Sequence, residues 1–221
     1  MQMIALLFIR FKPMKSYENN VFLPFLQLFG IKHVIVRKKC IILQRKQIHG
    51  KMRDFETEKA KEMVLHILNV TGGADVYHIV KILYFAEMKH LARYGVGFVP
   101  GGFSALEYGP VPMDVYELLN HCSESDPYKK LSGVAKNIFT AKRDADLDYL
   151  SEAEIESIDE SIKENVSLSF YALLKKSHDE AWTAAGKSGK LSPILIAKVG
   201  GASEGMLEFV EEQMEIDMAL S

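Results

Sequence analysis

The stretch between Asp75 and Gly95 constrains the fold of this chain more than any other part of its sequence. Asp75 suits an N-cap and Gly95 suits a C′ position, because aspartate accepts amide hydrogen bonds and glycine adopts left-handed backbone angles without strain. A helix that is apolar around most of its circumference is stable only when it is buried. The apolar positions between these two signals leave little polar face: Val76, Ile79, Val80, Ile82, Leu83, Phe85 and Ala86. We therefore predict a central buried helix.

Further helices are predicted where apolar residues recur at helical spacing beside capping signals. Ser151 and Glu154 match a capping box, in which the side chain of each residue binds the backbone amide of the other. In a helix near Leu168 to His178, Phe170 and two leucines are predicted to face inward. The remaining predicted helices cover residues 54–68, the segment after Pro112, and a terminal amphipathic stretch from Ser203 to Met218.

A β-hairpin is predicted between the second and third of the helices that follow residue 51. Two short runs, Val96–Val99 and Phe103–Tyr108, flank the turn sequence Pro100-Gly101-Gly102, a pattern typical of a hairpin. The chain then leaves through Gly109-Pro110-Val111-Pro112, where each proline favours extended geometry in the residue before it. A further strand is predicted over Asn137–Ala141. The predicted fold class is α+β and predominantly α-helical, with one small hairpin.

Charge is divided unevenly along the chain, and this division limits the kinds of partner that the chain is expected to bind. Residues 1–51 contain ten Lys and Arg against one acidic residue, whereas residues 52–221 contain 17 against 28. The two segments therefore carry formal charges of +9 and −11. Affinity for nucleic acids comes mainly from Lys and Arg beside phosphates. The acidic segment thus argues against a general nucleic-acid-binding protein.

Cysteine usage and hydropathy predict a cytoplasmic protein. Cys40 and Cys122 cannot build a disulfide framework, which is typical of a reducing compartment. No stretch reaches the roughly 18 consecutive apolar residues that a membrane-spanning helix needs. Met1 to Ile9 lacks the basic start of a secretory signal. We expect no transmembrane segment and no export.

The first 51 residues differ from the rest of the chain. Two short β-branched runs, Val34–Val36 and Ile41–Leu43, flank a basic cluster and are typical of two strands. Three interpretations of the segment stay open: a small basic appendage, an anchor at a membrane surface, or upstream sequence that the cell does not translate, with Met52 as the true start. The main helical domain is predicted to span residues 52–221, including the terminal amphipathic helix.

Neither a metal site nor an enzyme active site is indicated. His121 adjoins Cys122, and His78 and His90 lie twelve residues apart, spacings that differ from those of structural zinc sites. The glycine pairs do not form either of the common phosphate-binding motifs. No nucleophile beside a base, and no pair of carboxylates in a defined context, is evident. We assign no catalytic residue, no metal and no cofactor.

Two sequence blocks stand out at a defined order and spacing. The first contains Lys81-Ile-Leu-Tyr-Phe-Ala86, His90-Leu-Ala-Arg-Tyr-Gly95 and Tyr108-Gly-Pro-Val-Pro112, and the second contains Leu173, Leu174, Ser177-His178 and Ala181-Trp182. Together they resemble the SocA-like, Panacea-domain antitoxin family, over roughly residues 56–185. The turn Pro100-Gly101-Gly102 departs from the charged turn expected there, so the predicted hairpin tip is expected to recognise a different partner.

Candidate partner-binding residues surround the predicted hairpin. Aromatic residues often dominate the binding energy of interfaces, although packing in the core is an equally open role for the aromatic candidates. Tyr108 to Pro112 is interpreted first as a rigid corner, and His178 with Trp182 as a packed imidazole–indole pair. The candidates are Arg93, Tyr94, Phe98, Phe103, Tyr108, Met113 and Tyr116. Residues assigned to a structural motif are Gly95, Gly109, Pro110, Pro112, His178 and Trp182.

The resemblance implies a bacterial or prophage-borne antitoxin that neutralises a co-encoded toxin by direct protein–protein binding. Its partner would be a cognate toxin from an adjacent gene, and the acidic main domain would suit a basic toxin. Two alternatives stay open: a protease adaptor that delivers the toxin for degradation, and a nucleic-acid-binding regulator that uses the basic segment. We predict a binding protein and not an enzyme, with no specific nucleic acid as partner.

Overall fold

The computed structural model describes residues 53–131, 137–187 and 189–220. All of these residues lie in the unit that spans Met52–Ser221. The three interpretations of residues 1–51, and the two strands predicted within that segment, lie outside the described residues. The division of the chain at Met52 therefore stays a prediction.

The described residues form a predominantly helical α+β fold, as predicted. The helices are α1 (53–71), α2 (Val76–Tyr94), α3 (Met113–Asn120), α4 (Glu152–Asn165), α5 (Phe170–Ser177), α6 (Glu180–Ala185), α7 (Pro193–Val199) and α8 (Glu204–Leu220). The strands are β1 (Ala74–Asp75), β2 (Ser104–Leu106), β3 (Gly109–Val111), β4 (Tyr128–Lys130) and β5 (Ile138–Ala141), and a 3-10 helix covers Leu147–Tyr149. Within the described ranges, no helix is long and apolar enough to cross a membrane.

Helix α2 is the central buried helix that the sequence predicts. Asp75 caps it by accepting a hydrogen bond from the amide of His78 at 2.9 Å, and Gly95 ends it with a φ of 71°. Eleven of its 19 residues are buried, including the ionisable residues Lys81, Tyr84, Glu87 and His90. Its surface packs mainly against α4 and α7. Each buried Leu or Ile contributes about 1.5–3 kcal/mol relative to an exposed one.

Helix α4 begins with the predicted capping box. Glu154 accepts a hydrogen bond from the amide of Ser151 at 2.8 Å, and the Ser151 hydroxyl accepts one from the amide of Glu154 at 3.3 Å. Deeper in the α2–α4 interface, the buried hydroxyl of Ser161 donates to the carbonyl of Ile82 at 2.7 Å. Small residues on α4 thus allow the two helix backbones to approach closely.

A three-stranded antiparallel sheet in the order β1-β5-β4 flanks the helices. Ala74 lies opposite Phe139, and Tyr128 lies opposite Ala141. Strand β5 confirms the strand predicted over residues 137–141. Strands β1 and β4, like helix α7, were not predicted, because elements of two to seven residues are too short to show a clear periodicity.

The hairpin lies between α2 and α3 as predicted, and the predicted run Phe103–Tyr108 contains its strand β2, but the first predicted strand and the predicted turn are wrong. Strand β2 pairs with β3, with Ser104 opposite Val111 and Leu106 opposite Gly109. The turn consists of Glu107 and Tyr108. Residues 96–99, predicted as the first strand, form a loop.

The side chain of Glu87 explains why residues 96–99 are not a strand. Its carboxylate accepts hydrogen bonds from the amides of Phe98 at 3.0 Å and Val99 at 3.2 Å, so these amides are not available to a sheet. Phe98 and Val99 are also both buried, whereas successive residues of a strand face opposite sides. The loop is therefore held against α2 by a side chain that lies eleven residues earlier.

The predicted helix near Leu168 to His178 is shorter than expected. Helix α5 ends at Ser177, and Asp179 caps a separate helix, α6, by accepting a hydrogen bond from the amide of Trp182 at 3.0 Å. The predicted inward orientation of Phe170 is wrong, since 39% of this residue is exposed. The predicted terminal helix is confirmed as α8.

Candidate partner-binding surface

Lys81 is buried in the centre of the domain and binds the hairpin backbone. Its ammonium donates a hydrogen bond to the carbonyl of Pro110 at 2.8 Å. Burial, partly opposed by the carboxylate of Asp179, lowers the pKa of Lys81 to about 7. A Cβ on Gly109 would lie 2.7 Å from the Lys81 Nζ and 2.6 Å from the Ser177 Oγ. Because Gly109 also has a φ of 95°, this position requires glycine.

A second buried contact joins α2 to the start of α6. The hydroxyl of Tyr84 donates to Oδ2 of Asp179 at 2.6 Å, while Oδ1 of the same carboxylate caps α6. Burial, together with the negative charge of Asp179, raises the pKa of Tyr84, so its hydroxyl stays a proton donor. This bond joins α2 to the start of α6 one helical turn after Lys81.

Trp182 and His178 pack beside the hairpin turn. The indole Nε1 of Trp182 donates to the carbonyl of Leu106 at 2.9 Å. The rings of His178 and Trp182 are parallel within 3°, with centroids 3.8 Å apart, although only Trp182 lies on a helix. Burial and the positive charge of Lys81 lower the pKa of His178, against the carbonyl of Glu107, which raises it. The imidazole is therefore neutral at pH 7.

Exposed aromatic side chains adjoin the hairpin on its other side. The ring of Phe170 lies 4.4 Å from that of Tyr77, 5.9 Å from that of Tyr108 and 5.4 Å from that of Tyr171, measured between centroids. Tyr108 is 54% exposed and Tyr171 is 78% exposed. The hydroxyl of Tyr77 donates to the carbonyl of Tyr108 at 3.3 Å. We call Tyr77, Tyr108, Phe170 and Tyr171 the aromatic surface.

Two cavities lie at the hairpin. One, of about 530 Å³, is lined by three members of the aromatic surface and by Asp75, His78, Val111, Tyr116 and Asn120. The other, of about 640 Å³, is lined by Ala105, Leu106, Glu107, Trp182, Thr183 and Lys187. We call the first the tyrosine cavity and the second the tryptophan cavity. At the edge of the tyrosine cavity, the hydrogen bond that the His78 imidazole donates to the Asp75 carboxylate raises the pKa of His78 against the effect of burial.

Four of the predicted partner-binding residues divide between surface and core. Tyr108 and Tyr116 both line the tyrosine cavity. Phe98 and Phe103 are buried and belong to the hydrophobic core. Only the two tyrosines are therefore brought together at a surface.

The other three predicted partner-binding residues lie elsewhere. Arg93 and Tyr94 are exposed at the end of α2, about 25 Å along the helix from Tyr77. There Arg93 forms a bidentate pair with Glu160, at 2.6 and 3.0 Å. Met113 is half-buried at the start of α3 and lines neither of the two cavities.

The residues assigned to a structural motif occupy backbone positions of several kinds. Gly95 ends α2, and Pro112 is the N-cap of α3. Gly109 and Pro110 belong to strand β3 and do not form a corner after the hairpin. The chain therefore leaves the hairpin strand at Val111 and enters α3 directly after Pro112.

Sequence reasoning missed Tyr77, Phe170 and Tyr171 as surface residues. Phe170 and Tyr171 are consecutive at the start of α5, after the N-cap Ser169. Neighbouring residues of a helix point about 100° apart, so both rings could not face the same core. That local rule was the available signal for an exposed aromatic residue at this point.

Residues 79–183 match the family model described as antitoxin SocA-like, Panacea domain. This region is similar to the Panacea domain of SocA-like antitoxins. The predicted resemblance is thereby confirmed, over a narrower range than the predicted residues 56–185. The matched region includes the hairpin, its anchors Lys81 and Trp182, and three of the four members of the aromatic surface.

The comparison with curated proteins found no match, nor did the comparison with solved structures. Among the described residues, no group of three or more His, Cys, Asp or Glu side chains is placed to hold a metal ion. The function is therefore argued from the antitoxin family and from the geometry of the hairpin and its surroundings.

Proposed function

We propose that this protein is an antitoxin that neutralises a co-encoded protein toxin by binding it through the aromatic surface. The observation that carries the proposal is a chain of contacting aromatic rings, three of them exposed, beside a cavity and in a region similar to an antitoxin family. Tyr and Trp are enriched among the residues that dominate binding energy, because each buries a large area and retains a polar group.

The position of the aromatic surface supports a binding role. Three of its members line the tyrosine cavity, whose volume of about 530 Å³ has room for side chains of a partner. Its rings are already in contact with one another, so little conformational freedom would be lost when a partner binds. Such preorganisation favours affinity, since less of the interaction energy is used to order the surface.

Charge supports a basic toxin as the partner. Residues 52–221 carry a formal charge of −11, and opposite charge increases the association rate and disfavours acidic partners. We infer that the protein acts in the cytoplasm, as a binding protein without catalytic activity of its own. Neutralisation then consists of covering a surface that the toxin needs for its activity.

Co-expression of this chain with the product of the adjacent gene tests the proposal. The wild-type chain should restore growth, and Tyr171→Ala should weaken toxin binding about tenfold, an effect of about 1.4 kcal/mol. Because Tyr171 is 78% exposed, this variant should unfold at the wild-type temperature. The matched control is Phe55→Ala, which removes another exposed aromatic residue, stacked on Tyr149 at 5.6 Å and remote from both cavities.

Retained binding in the Tyr171 variant, or equal loss in the Phe55 variant, would contradict the proposal. The half-life of the toxin then distinguishes neutralisation by covering from delivery to a protease. Under the proposal the toxin persists while it is inactive. A half-life that this chain shortens would instead support the protease adaptor.

A further inference from the structure

The turn of the hairpin forms a ridge between the two cavities. Glu107 lines the tryptophan cavity, and Tyr108 lines the tyrosine cavity. Both side chains are exposed. The ridge therefore presents a carboxylate toward one cavity and a phenol toward the other. We call Glu107 and Tyr108 the ridge residues.

The ridge is held through its backbone and not through the side chains of its turn. Lys81, Trp182 and Tyr77 each donate a hydrogen bond to a carbonyl of the hairpin, at 2.8, 2.9 and 3.3 Å. The outer edge of β2 is also bonded to backbone, since the amide of Ala105 donates to the carbonyl of Gly189 at 2.8 Å. Every residue type carries a backbone carbonyl. Substitution of a ridge residue therefore leaves all of these bonds in place.

The carboxylate of Glu107 is available to a partner. Within the described ranges it makes neither an ion pair nor a hydrogen bond, although it lies at the wall of a cavity that also contains the indole of Trp182. A carboxylate and an indole that line the same cavity are suited to a Lys or Arg side chain, which can gain both charge pairing and a cation–π contact. This chemistry agrees with the basic partner expected from the charge of −11.

We propose that Glu107 and Tyr108 determine which toxin this protein binds, with Glu107 pairing with a cationic side chain of the toxin. The anchors hold the ridge at one position, while the two ridge residues supply the chemistry that a partner contacts. This inference rests on the proposed function and identifies the part of the surface that sets specificity.

Two libraries of the full chain test this assignment. One randomises Glu107 and Tyr108 together, and the control randomises Glu204 and Glu208, which are exposed on α8. Each library is co-expressed with the toxin from the adjacent gene. Survival in the ridge library is expected to fall about tenfold below survival in the control library. The reason is that a few residues of an interface supply most of its binding energy.

Single variants separate binding from folding. Purified Glu107→Lys and Tyr108→Ala proteins should bind the toxin about tenfold more weakly, with an unfolding temperature within about 2 °C of the wild-type value. The more conservative Glu107→Gln, which keeps size but removes charge, should reduce the salt dependence of the association rate. Toxin variants that regain binding to Glu107→Lys should replace a Lys or Arg with an acidic residue.

Equal survival of the two libraries would overturn the assignment, as would ridge variants that lose binding only because they unfold. If the wild-type chain itself neither binds nor neutralises the toxin, the proposed function fails together with the assignment. Intact neutralisation by the wild type, combined with a tolerant ridge library, overturns the assignment alone.

Discussion

Lys81 and Glu87, two of the buried ionisable residues of helix α2, hold later backbone segments with opposite polarity. Lys81 donates to the carbonyl of Pro110 in the hairpin, whereas Glu87 accepts from the amides of Phe98 and Val99 in the preceding loop. Burial lowers the pKa of Lys81 to about 7 and raises the pKa of Glu87 to about 7. The two side chains carry opposite charges when ionised and lie six residues apart on α2.

The difference between these regions lies in what each held segment presents. The residues held by Glu87 are themselves buried and complete the core. The hairpin held by Lys81 instead carries an exposed turn. A buried charge is tolerated only when its hydrogen-bond partner is fixed. A buried ionisable side chain of α2 thus completes the core in the case of Glu87 and supports a binding surface in the case of Lys81.

The largest effect is expected when the lysine contact is broken sterically. Gly109→Ala places a Cβ 2.7 Å from the Lys81 Nζ at a φ of 95°, and should lower the free energy of unfolding by about 3 kcal/mol. The matched control is Gly102→Ala, where φ is 65° and no atom lies within 4 Å of the added Cβ. Only the left-handed backbone penalty, about 1 kcal/mol, applies there. Urea unfolding of both variants measures the difference, and equal losses would show that the lysine contact contributes nothing.

A smaller effect is expected when a second hairpin anchor loses its donor. Trp182→Phe leaves the carbonyl of Leu106 without the indole N–H, and should cost about 2 kcal/mol. Tyr77→Phe removes a longer bond of 3.3 Å from a half-buried hydroxyl, and should cost about 0.5 kcal/mol because water can replace it. Since Trp182 is the single tryptophan of the chain, circular dichroism is the suitable readout. The reverse order of losses would contradict the anchoring role of Trp182.

The pH dependence of stability is expected to have opposite signs for Glu87 and Lys81. The pKa of Glu87 is higher in the folded chain, so its contribution is lost as pH rises from its ordinary pKa of 4.5 through about 7. The pKa of Lys81 is lower in the folded chain, so the unfolded state binds more protons between pH 7 and 10.5, and stability rises over that range.

Charge-removing variants report each contribution. The stability of the wild type relative to Glu87→Gln should fall between pH 5 and pH 8. Relative to Lys81→Met, it should rise between pH 7 and pH 10. Each difference includes the coupling of the substituted group to its neighbours, which for Lys81 are Asp179 and His178. If both differences were independent of pH, or changed in the same direction with pH, the contrast between Glu87 and Lys81 would be contradicted.

Much of the fold could be predicted because its signals are local. Asp75 and Gly95 bound α2, and Ser151 and Glu154 begin α4, as the sequence indicates. The strands of the hairpin could not be predicted, since they contain three residues each. Glu87 binds the amides of Phe98 and Val99, which belong to the first predicted strand, and so keeps these residues out of the sheet.

The candidate surface was predictable only in part. Tyr108 was identified from its motif, but Tyr77 lies at the start of a helix whose other residues are mostly buried. Phe170 was assigned to the core because its spacing to Leu173 fits a buried face. Its exposure depends on how α5 packs against the hairpin, and that orientation is not encoded in helical periodicity.

The sequence by itself determined the buried central helix, the capping signals, the helical class and the family, because each depends on residue types at short, regular spacing. Only the tertiary structure decided that Lys81 and Glu87 serve as backbone anchors and that the hairpin turn stands between two cavities. Such roles depend on the distances between side chains and backbone groups from separate elements. Those distances arise when the elements pack, and no local pattern specifies them.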